Sequence, residues 1–92
     1  MSRRRVVVTG LGIISPVGNT IQEAWDSIVA GRSGISRITR FDASAFTAQI
    51  AGEVKGFDIA AYLSPKDARR MDTFIHYGLA AGTQASRDSG IE

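Results

Sequence analysis

The fold is decided first by residues 4–19, which read Arg-Arg-Val-Val-Val-Thr-Gly-Leu-Gly-Ile-Ile-Ser-Pro-Val-Gly-Asn. The β-branched run Val6-Val7-Val8 predicts a short buried strand, of the kind found in parallel sheets. Three glycines and Pro16 then predict a loop over 10–19. A strand that leads through a loop into a helix is the beginning of an α/β fold, and we expect that class.

Two helical regions follow from residue spacing. Thr20 and Glu23 have the offset of a capping box, and the apolar residues after Thr20 form one stripe that Gly31 ends. The stripe consists of Ile21, Ala24, Trp25, Ile28 and Val29, and it predicts that Trp25 lies in the core. Ser64-Pro65 begins a second helical run that Gly90 ends, and Asp72 is placed to split that run in two.

The segments between the helices carry weaker signals. Residues 32–44 are mixed in polarity and are predicted to be loop, 49–54 to form a strand, and 55–63 to be irregular or a single turn. Gly78 and Gly82 lie four apart on the second helical run, with Ser86 next in line. This small-residue strip predicts close approach to another backbone, because glycine is costly in an isolated helix.

Composition excludes several classes of function. The 92 residues include no cysteine and one histidine, which excludes a disulfide scaffold, a cysteine-ligated metal site and a thiol nucleophile. No apolar run is long enough for a membrane span or a signal peptide, so we expect a cytoplasmic protein that does not bind a membrane. The net charge of +2 comes from Arg3, Arg4 and Arg5 at one tip, so we expect no nucleic-acid partner.

The glycines of the first loop invite comparison with a dinucleotide-binding fingerprint. The segment Gly10-Leu11-Gly12 follows a predicted strand, but Ser15 stands at the sixth position and Pro16 comes next. The predicted helix also begins too late to meet a phosphate at that loop. A tight structural turn is the favoured interpretation, and nucleotide binding remains the weaker one.

The most suggestive polar group is a set of three cations after Pro65. On a helix, Lys66, Arg69 and Arg70 would share one face, because they are three and four residues apart. Such a patch suits an acidic protein or a phosphate. Spacing alone favours the plainer alternative, a solvated face with local pairs to Asp67 and Asp72.

No self-sufficient active site is visible. His76 lies in a helical run without an evident acid or nucleophile, so a packed or surface role is favoured over catalysis. Ser15, Ser33 and Ser36 lack the Gly-x-Ser-x-Gly context of a nucleophile elbow. We therefore assign no catalytic, metal-binding or cofactor-binding residue in this chain.

Taken together, the motifs resemble a known family of enzymes. Residues 4–19 are similar to the opening of the β-ketoacyl-acyl carrier protein synthases, and most like those of the elongating type II enzymes. The same resemblance continues in order through 31–35 (Gly-Arg-Ser-Gly-Ile), 40–42 (Arg-Phe-Asp), 52–57 (Gly-Glu-Val-Lys-Gly-Phe), 69–72 (Arg-Arg-Met-Asp) and 88–91 (Asp-Ser-Gly-Ile). Each motif is weak alone, but together they cover essentially the whole chain.

The resemblance implies a thiolase-like, layered α/β/α/β/α fold, of which 1–92 would be an incomplete N-terminal part. It implies an acyltransferase, usually a homodimer and without a cofactor, that elongates fatty acyl chains by decarboxylating Claisen condensation with malonyl-acyl carrier protein. The family's cysteine and two histidines match nothing here. Members of the family have a basic helix that helps to dock acyl carrier protein, and its position matches Lys66, Arg69 and Arg70. With this resemblance, docking of acyl carrier protein is favoured over a merely solvated helix face.

Two alternatives to fatty-acid elongation stay open. A ketosynthase of a type II polyketide pathway would share the same motifs. The 92 residues could instead act alone as a small module that binds an acidic protein. An isolated piece of a larger enzyme should expose a sizeable apolar patch, whereas a module should not.

Overall fold

The computed structural model describes residues 3–91. Its elements are helix α1 (Ile21–Val29), strands β1 (Ile35–Arg37) and β2 (Ile50–Gly52), a single 3₁₀ turn (Ile59–Ala61), and helices α2 (Pro65–Ala68) and α3 (Thr73–Ser89). The two strands form an antiparallel pair. Helices with a small sheet agree with the predicted α/β class.

Helix α1 begins and ends where the sequence predicts. The Thr20 hydroxyl accepts a hydrogen bond from the Glu23 amide at 3.2 Å and donates one to the Glu23 carboxylate at 3.2 Å. The Thr20–Glu23 pair therefore satisfies an otherwise unpaired amide of the first turn. After the helix, Gly31 adopts a φ of 71°, a conformation that favours glycine.

The antiparallel pair corrects one prediction and confirms another. In the pair, Ile35 lies opposite Gly52 and Arg37 opposite Ile50, so β2 lies inside the strand predicted over 49–54. The prediction of loop over 32–44 is wrong at β1. A strand of three residues is too short to show alternation, and β1 forms because β2, distant in sequence, completes its hydrogen bonds.

The second helical run is divided, as the position of Asp72 predicts. Helix α2 ends at Ala68 and α3 starts at Thr73, with Asp72 at its N-cap position, although the Asp72 side chain makes no capping hydrogen bond. Gly90 ends α3 with a φ of 74°. The prediction of a single turn within 55–63 is also confirmed, by the 3₁₀ turn.

The predicted strand at Val6-Val7-Val8 is absent from the described residues. No strand is assigned over 3–14, and Val6 is 87% exposed. A strand exists only when a neighbour completes its backbone hydrogen bonds, and nothing within 3–91 supplies that neighbour. The prediction is therefore wrong for this chain as it stands.

The segment that contains Gly10 and Gly12 lies instead along α3. The Leu11 amide donates to the Asp88 carboxylate at 3.0 Å, and the Ile13 amide donates to the Gln84 side-chain oxygen at 3.1 Å. From Leu11 to Ile13 the segment advances two residues, while its partners on α3, Gln84 and Asp88, are four residues apart. Four residues of helix span about 6 Å, which two residues can cover only if their backbone is nearly extended. It is not the tight turn that the sequence favoured.

The chain on its own has little core. Among the described residues, the buried apolar side chains are those of Ala24, Ala43 and Ala80. The accessible surface is 7349 Å², against roughly 5,200 Å² for a compact monomer of this mass. The radius of gyration is 16.8 Å, against about 12 Å. Trp25, predicted to be in the core, is 60% exposed.

Candidate functional site

The three predicted docking cations lie together at the α2–α3 junction. Lys66 is in α2, Arg69 is its C-cap residue and Arg70 follows directly. All three side chains are exposed. We call Lys66, Arg69 and Arg70 the basic cluster.

Local sequence explains how α2 presents this cluster. The Ser64 hydroxyl accepts from the Asp67 amide at 3.3 Å, and Pro65 occupies the first turn, where its missing N–H costs nothing. The helix then tightens: the Arg70 amide bonds to the Asp67 carbonyl, three residues back, at 3.1 Å. Arg69, whose amide bonds to the Pro65 carbonyl at 3.1 Å, is the C-cap residue, and Arg70 lies in the turn beyond it. The cluster therefore spans a helix end and a turn, not the single α-helical face that spacing predicted.

The charges of the basic cluster remain available to a partner. Among residues 3–91, its side chains make one hydrogen bond, from Arg69 Nε to the Pro65 carbonyl at 3.2 Å. The local pairs to Asp67 and Asp72 that the plainer interpretation requires are not formed within that range. The cluster is a group of solvent-facing cations on a helix end.

His76 connects α3 to the end of α2. Its Nε2 lies 2.8 Å from the Ala68 carbonyl oxygen, and the side chain is half-buried. A carbonyl can only accept, so Nε2 carries the hydrogen and donates. This is the packed role that the sequence favoured over catalysis for His76.

Two of the serine hydroxyls considered above as nucleophiles form hydrogen bonds within local turns. Ser15 Oγ donates to the Gly18 carbonyl at 3.0 Å, and Ser33 Oγ accepts from the Ile35 amide at 3.1 Å. Neither hydroxyl lies against a histidine or carboxylate in the described hydrogen bonds. They stabilise turns and do not form a nucleophilic site.

A polar junction that the sequence did not predict holds the N-terminal half against α3. The Gln84 amide nitrogen donates to the Asn19 carbonyl at 2.6 Å and to the Tyr62 hydroxyl at 3.0 Å. The Asn19 amide nitrogen donates to the Lys55 carbonyl at 2.8 Å, and Lys55 Nζ donates to the Gly34 carbonyl at 3.0 Å. These contacts join residues 21 to 65 positions apart in the chain. Such pairing leaves no local spacing signal that a sequence search could find.

The nucleotide interpretation fails on the geometry of the same region. The Leu11 and Ile13 amides, which a phosphate would need, already bond to Asp88 and Gln84. A Cβ on Gly10 would lie 2.2 Å from the Ala85 carbonyl oxygen, and one on Gly12 would lie 2.0 Å from that of Ala81. The two glycines thus permit contact between this segment and α3, and they leave no space for a ligand.

A second polar group ties the strand pair to α3. The Glu53 carboxylate accepts from the Thr39 hydroxyl at 2.9 Å and from the Thr39 and Arg40 amides at 3.1 and 3.2 Å. These hydrogen bonds, chiefly the one from the Thr39 hydroxyl, lower the pKa of Glu53 because they stabilise its ionised carboxylate. The Arg40 guanidinium in turn donates to the Tyr77 hydroxyl of α3. A shallow hollow of about 360 Å³ opens beside these residues.

Asp42 has a local role of the same kind. The Ser44 amide donates to its carboxylate at 3.0 Å, and this bond lowers the pKa of Asp42. Within 3–91, no group of three or more histidine or acidic side chains is placed to hold a metal ion. No helix of that range has the length and apolar character that crossing a membrane requires.

Comparison with known proteins gives a consistent result. Residues 3–92 match the family model described as Beta-ketoacyl synthase, N-terminal domain. The chain is 59% identical over all 92 residues to the 3-oxoacyl-[acyl-carrier-protein] synthase 2 of Vibrio cholerae, and 49% identical to that of Coxiella burnetii. It spans 22% of the length of each relative.

A solved structure shows the same likeness in three dimensions. The ishigamide ketosynthase/chain length factor superimposes with a TM-score of 0.84 at 37% identity. That comparison covers 99% of this chain and 23% of the other.

Proposed function

The chain belongs to the β-ketoacyl synthase family, and from that membership we propose that it forms the N-terminal part, 1–92, of a 3-oxoacyl-acyl carrier protein synthase. Its fold is the corresponding part of a thiolase-like ketosynthase. The observation that carries the proposal is identity of 59% along the entire chain with a protein named for that activity.

The proposed reaction lengthens an acyl chain on a carrier protein. Malonyl-acyl carrier protein loses carbon dioxide, and the resulting carbanion attacks an enzyme-bound acyl thioester, whose thiolate leaves. These 92 residues contain no cysteine, so the thioester would be held elsewhere in the protein. Within 1–92 we assign scaffold and docking roles, and no catalytic role.

Docking of acyl carrier protein is the role that we propose for the basic cluster. Lys66, Arg69 and Arg70 are exposed and unpaired with carboxylates within 3–91. Exposed cations of this kind attract an acidic partner and speed its encounter more than they add affinity. The family resemblance and the exposure of the cluster support the same role.

Charge reversal tests the docking role. We expect Arg69→Glu with Arg70→Glu to raise the KM for carrier-protein substrates about tenfold and to reduce its dependence on salt. Arg87→Glu is the matched control: Arg87 is exposed on α3 and lies about 20 Å from that helix's first turn, beyond the screening length of about 8 Å. An unchanged KM in the double variant would refute docking at this cluster.

The activity itself is tested in the full polypeptide that carries these residues. We expect it to condense an acyl-carrier protein with malonyl-carrier protein and to release carbon dioxide. A chimera in which residues 1–92 replace the matching 92 residues of the Vibrio cholerae relative provides a second test. Full activity of that chimera supports the assignment, and a folded but inactive chimera contradicts it.

Fatty-acid elongation is preferred to the other two functions. The 37% identity with the ishigamide ketosynthase/chain length factor is well below the 59% found with the Vibrio cholerae relative. The exposed apolar side chains and the large radius of gyration oppose a stand-alone module. A cooperative thermal transition in a monomeric 92-residue chain would instead favour the module.

Two further properties belong to the same proposal. We expect the complete enzyme to be a homodimer and to work in the cytoplasm. Sedimentation of the purified full polypeptide tests the first property, and fractionation of cells tests the second.

A further inference from the structure

We propose that His76 is a positioning residue that holds the basic cluster in its docking orientation, and this inference rests on the proposed docking function. The hydrogen bond from His76 Nε2 to the Ala68 carbonyl, 2.8 Å long, carries it. Ala68 directly precedes Arg69 and Arg70. The bond therefore fixes the backbone from which both arginines project.

Helix α2 needs such a support from outside. It has only four residues, and a helix of one turn is unstable without tertiary contacts. The Pro65 and Asp67 carbonyls receive the amides of Arg69 and Arg70, which lie in the short turn that follows the helix. The Ala68 carbonyl receives the Met71 amide at 3.3 Å and the shorter bond from His76. Of these two donors, His76 is the one that belongs to α3.

Among residues 3–91, this bond is the side-chain hydrogen bond that joins α2 to α3. Ser64 caps the start of α2, and the 3₁₀ turn contacts α2, but both precede the basic cluster in the chain. The hydrogen bond from Arg69 Nε ends on Pro65 within the same turn. His76 therefore anchors the far end of α2 to the 17-residue α3, the longest helix described.

The test distinguishes the hydrogen bond that His76 donates from the space that its side chain fills. In the full polypeptide, His76→Leu removes the donor and keeps an apolar side chain, while His76→Gln keeps an N–H donor. We expect His76→Leu to raise the KM for acyl-carrier protein about fivefold, the effect of one hydrogen bond, with kcat changed less than twofold. We expect His76→Gln to restore the original KM.

A small thioester substrate distinguishes positioning from general damage. An acyl-coenzyme A has no acidic protein surface, so its KM should rise in His76→Leu only if the substitution disturbs the enzyme as a whole. If His76→Leu does not fold, His76→Asn, which is polar but too short to reach Ala68, takes its place.

The outcomes separate this inference from the docking proposal. If Arg69→Glu with Arg70→Glu raises the KM for carrier protein and His76→Leu does not, the positioning role is refuted and docking stands. If the arginine variant also has no effect, docking itself is refuted. Equal increases in KM for carrier protein and for acyl-coenzyme A would likewise refute positioning.

Discussion

Substitution of Gly12 by alanine should break the contact between the N-terminal segment and α3. The added Cβ would lie 2.0 Å from the Ala81 carbonyl oxygen and 2.8 Å from the Gln84 Cβ. Contacts of this kind are normally no closer than about 3.4 Å. The segment and α3 must therefore separate by about 1 Å or more, because the contact is with backbone and only a backbone shift relieves it.

The size of the effect follows from what this movement removes. Overpacking costs about 1–3 kcal/mol. The bonds from the Ile13 amide to Gln84 and from the Leu11 amide to Asp88 lie beside Gly12, and each contributes about 1 kcal/mol. We expect Gly12→Ala to weaken the attachment of the segment by about 3 kcal/mol, and α3 to lose protection from hydrogen exchange around Gln84.

Gly82→Ala, made in the same full polypeptide, is the matched control. A Cβ at Gly82 meets nothing within 4 Å, and alanine is the better helix former by about 1 kcal/mol. We expect amide exchange on α3 to slow in Gly82→Ala and to quicken in Gly12→Ala. Equal exchange in the Gly12→Ala variant and the parent would refute the close contact between the segment and α3.

Two further predictions concern Glu53 and Gly90. Because the donors at Thr39 and Arg40 lower the pKa of Glu53, its stabilising contribution is present above the carboxyl's ordinary pKa and is lost as pH falls through the lowered value. The protection of the Thr39 and Arg40 amides, measured as their exchange rate relative to the intrinsic rate at each pH, should therefore fall in acid. Glu53→Gln should abolish that change in protection, and a variant that keeps it contradicts the assignment. Gly90→Ala should destabilise the end of α3 by about 1–2 kcal/mol, since alanine disfavours the φ of 74° there, and thermal unfolding that matches the parent's would show that this turn is not required.

Local signals in the sequence were reliable where the interaction itself is local. The Thr20–Glu23 capping box, the start of α2 at Ser64-Pro65 and the end of α3 at Gly90 are all confirmed. Each depends on residues within one turn of a helix, so the sequence contains every participant. The three cations of the basic cluster were picked out by short spacing too and are exposed, although the end of α2 at Ala68, before Arg69 and Arg70, was not predicted.

Predictions failed where a partner lies far along the chain or outside it. Val6–Val8 has the composition of a buried strand, but no strand of residues 3–91 pairs with it. In the apolar stripe of α1, Trp25 and its neighbours Ile28 and Val29 are more than half exposed within 3–91. Gly78 and Gly82 likewise have open space around them. The hydrophobic pattern of a segment indicates which of its faces is buried in the folded protein. It does not show which other segment packs against that face.

The sequence by itself determined the family, the helix starts and the identity of the exposed cations, because these depend on residue type and short spacing. The tertiary structure decided which face of α3 receives a neighbour: Gly10 and Gly12 lie against Ala85 and Ala81, while the expected strip at Gly78 and Gly82 stays open. It also decided that His76 reaches Ala68. Both depend on how the chain folds back on itself, and an approach of two distant backbones leaves no periodic trace in either segment.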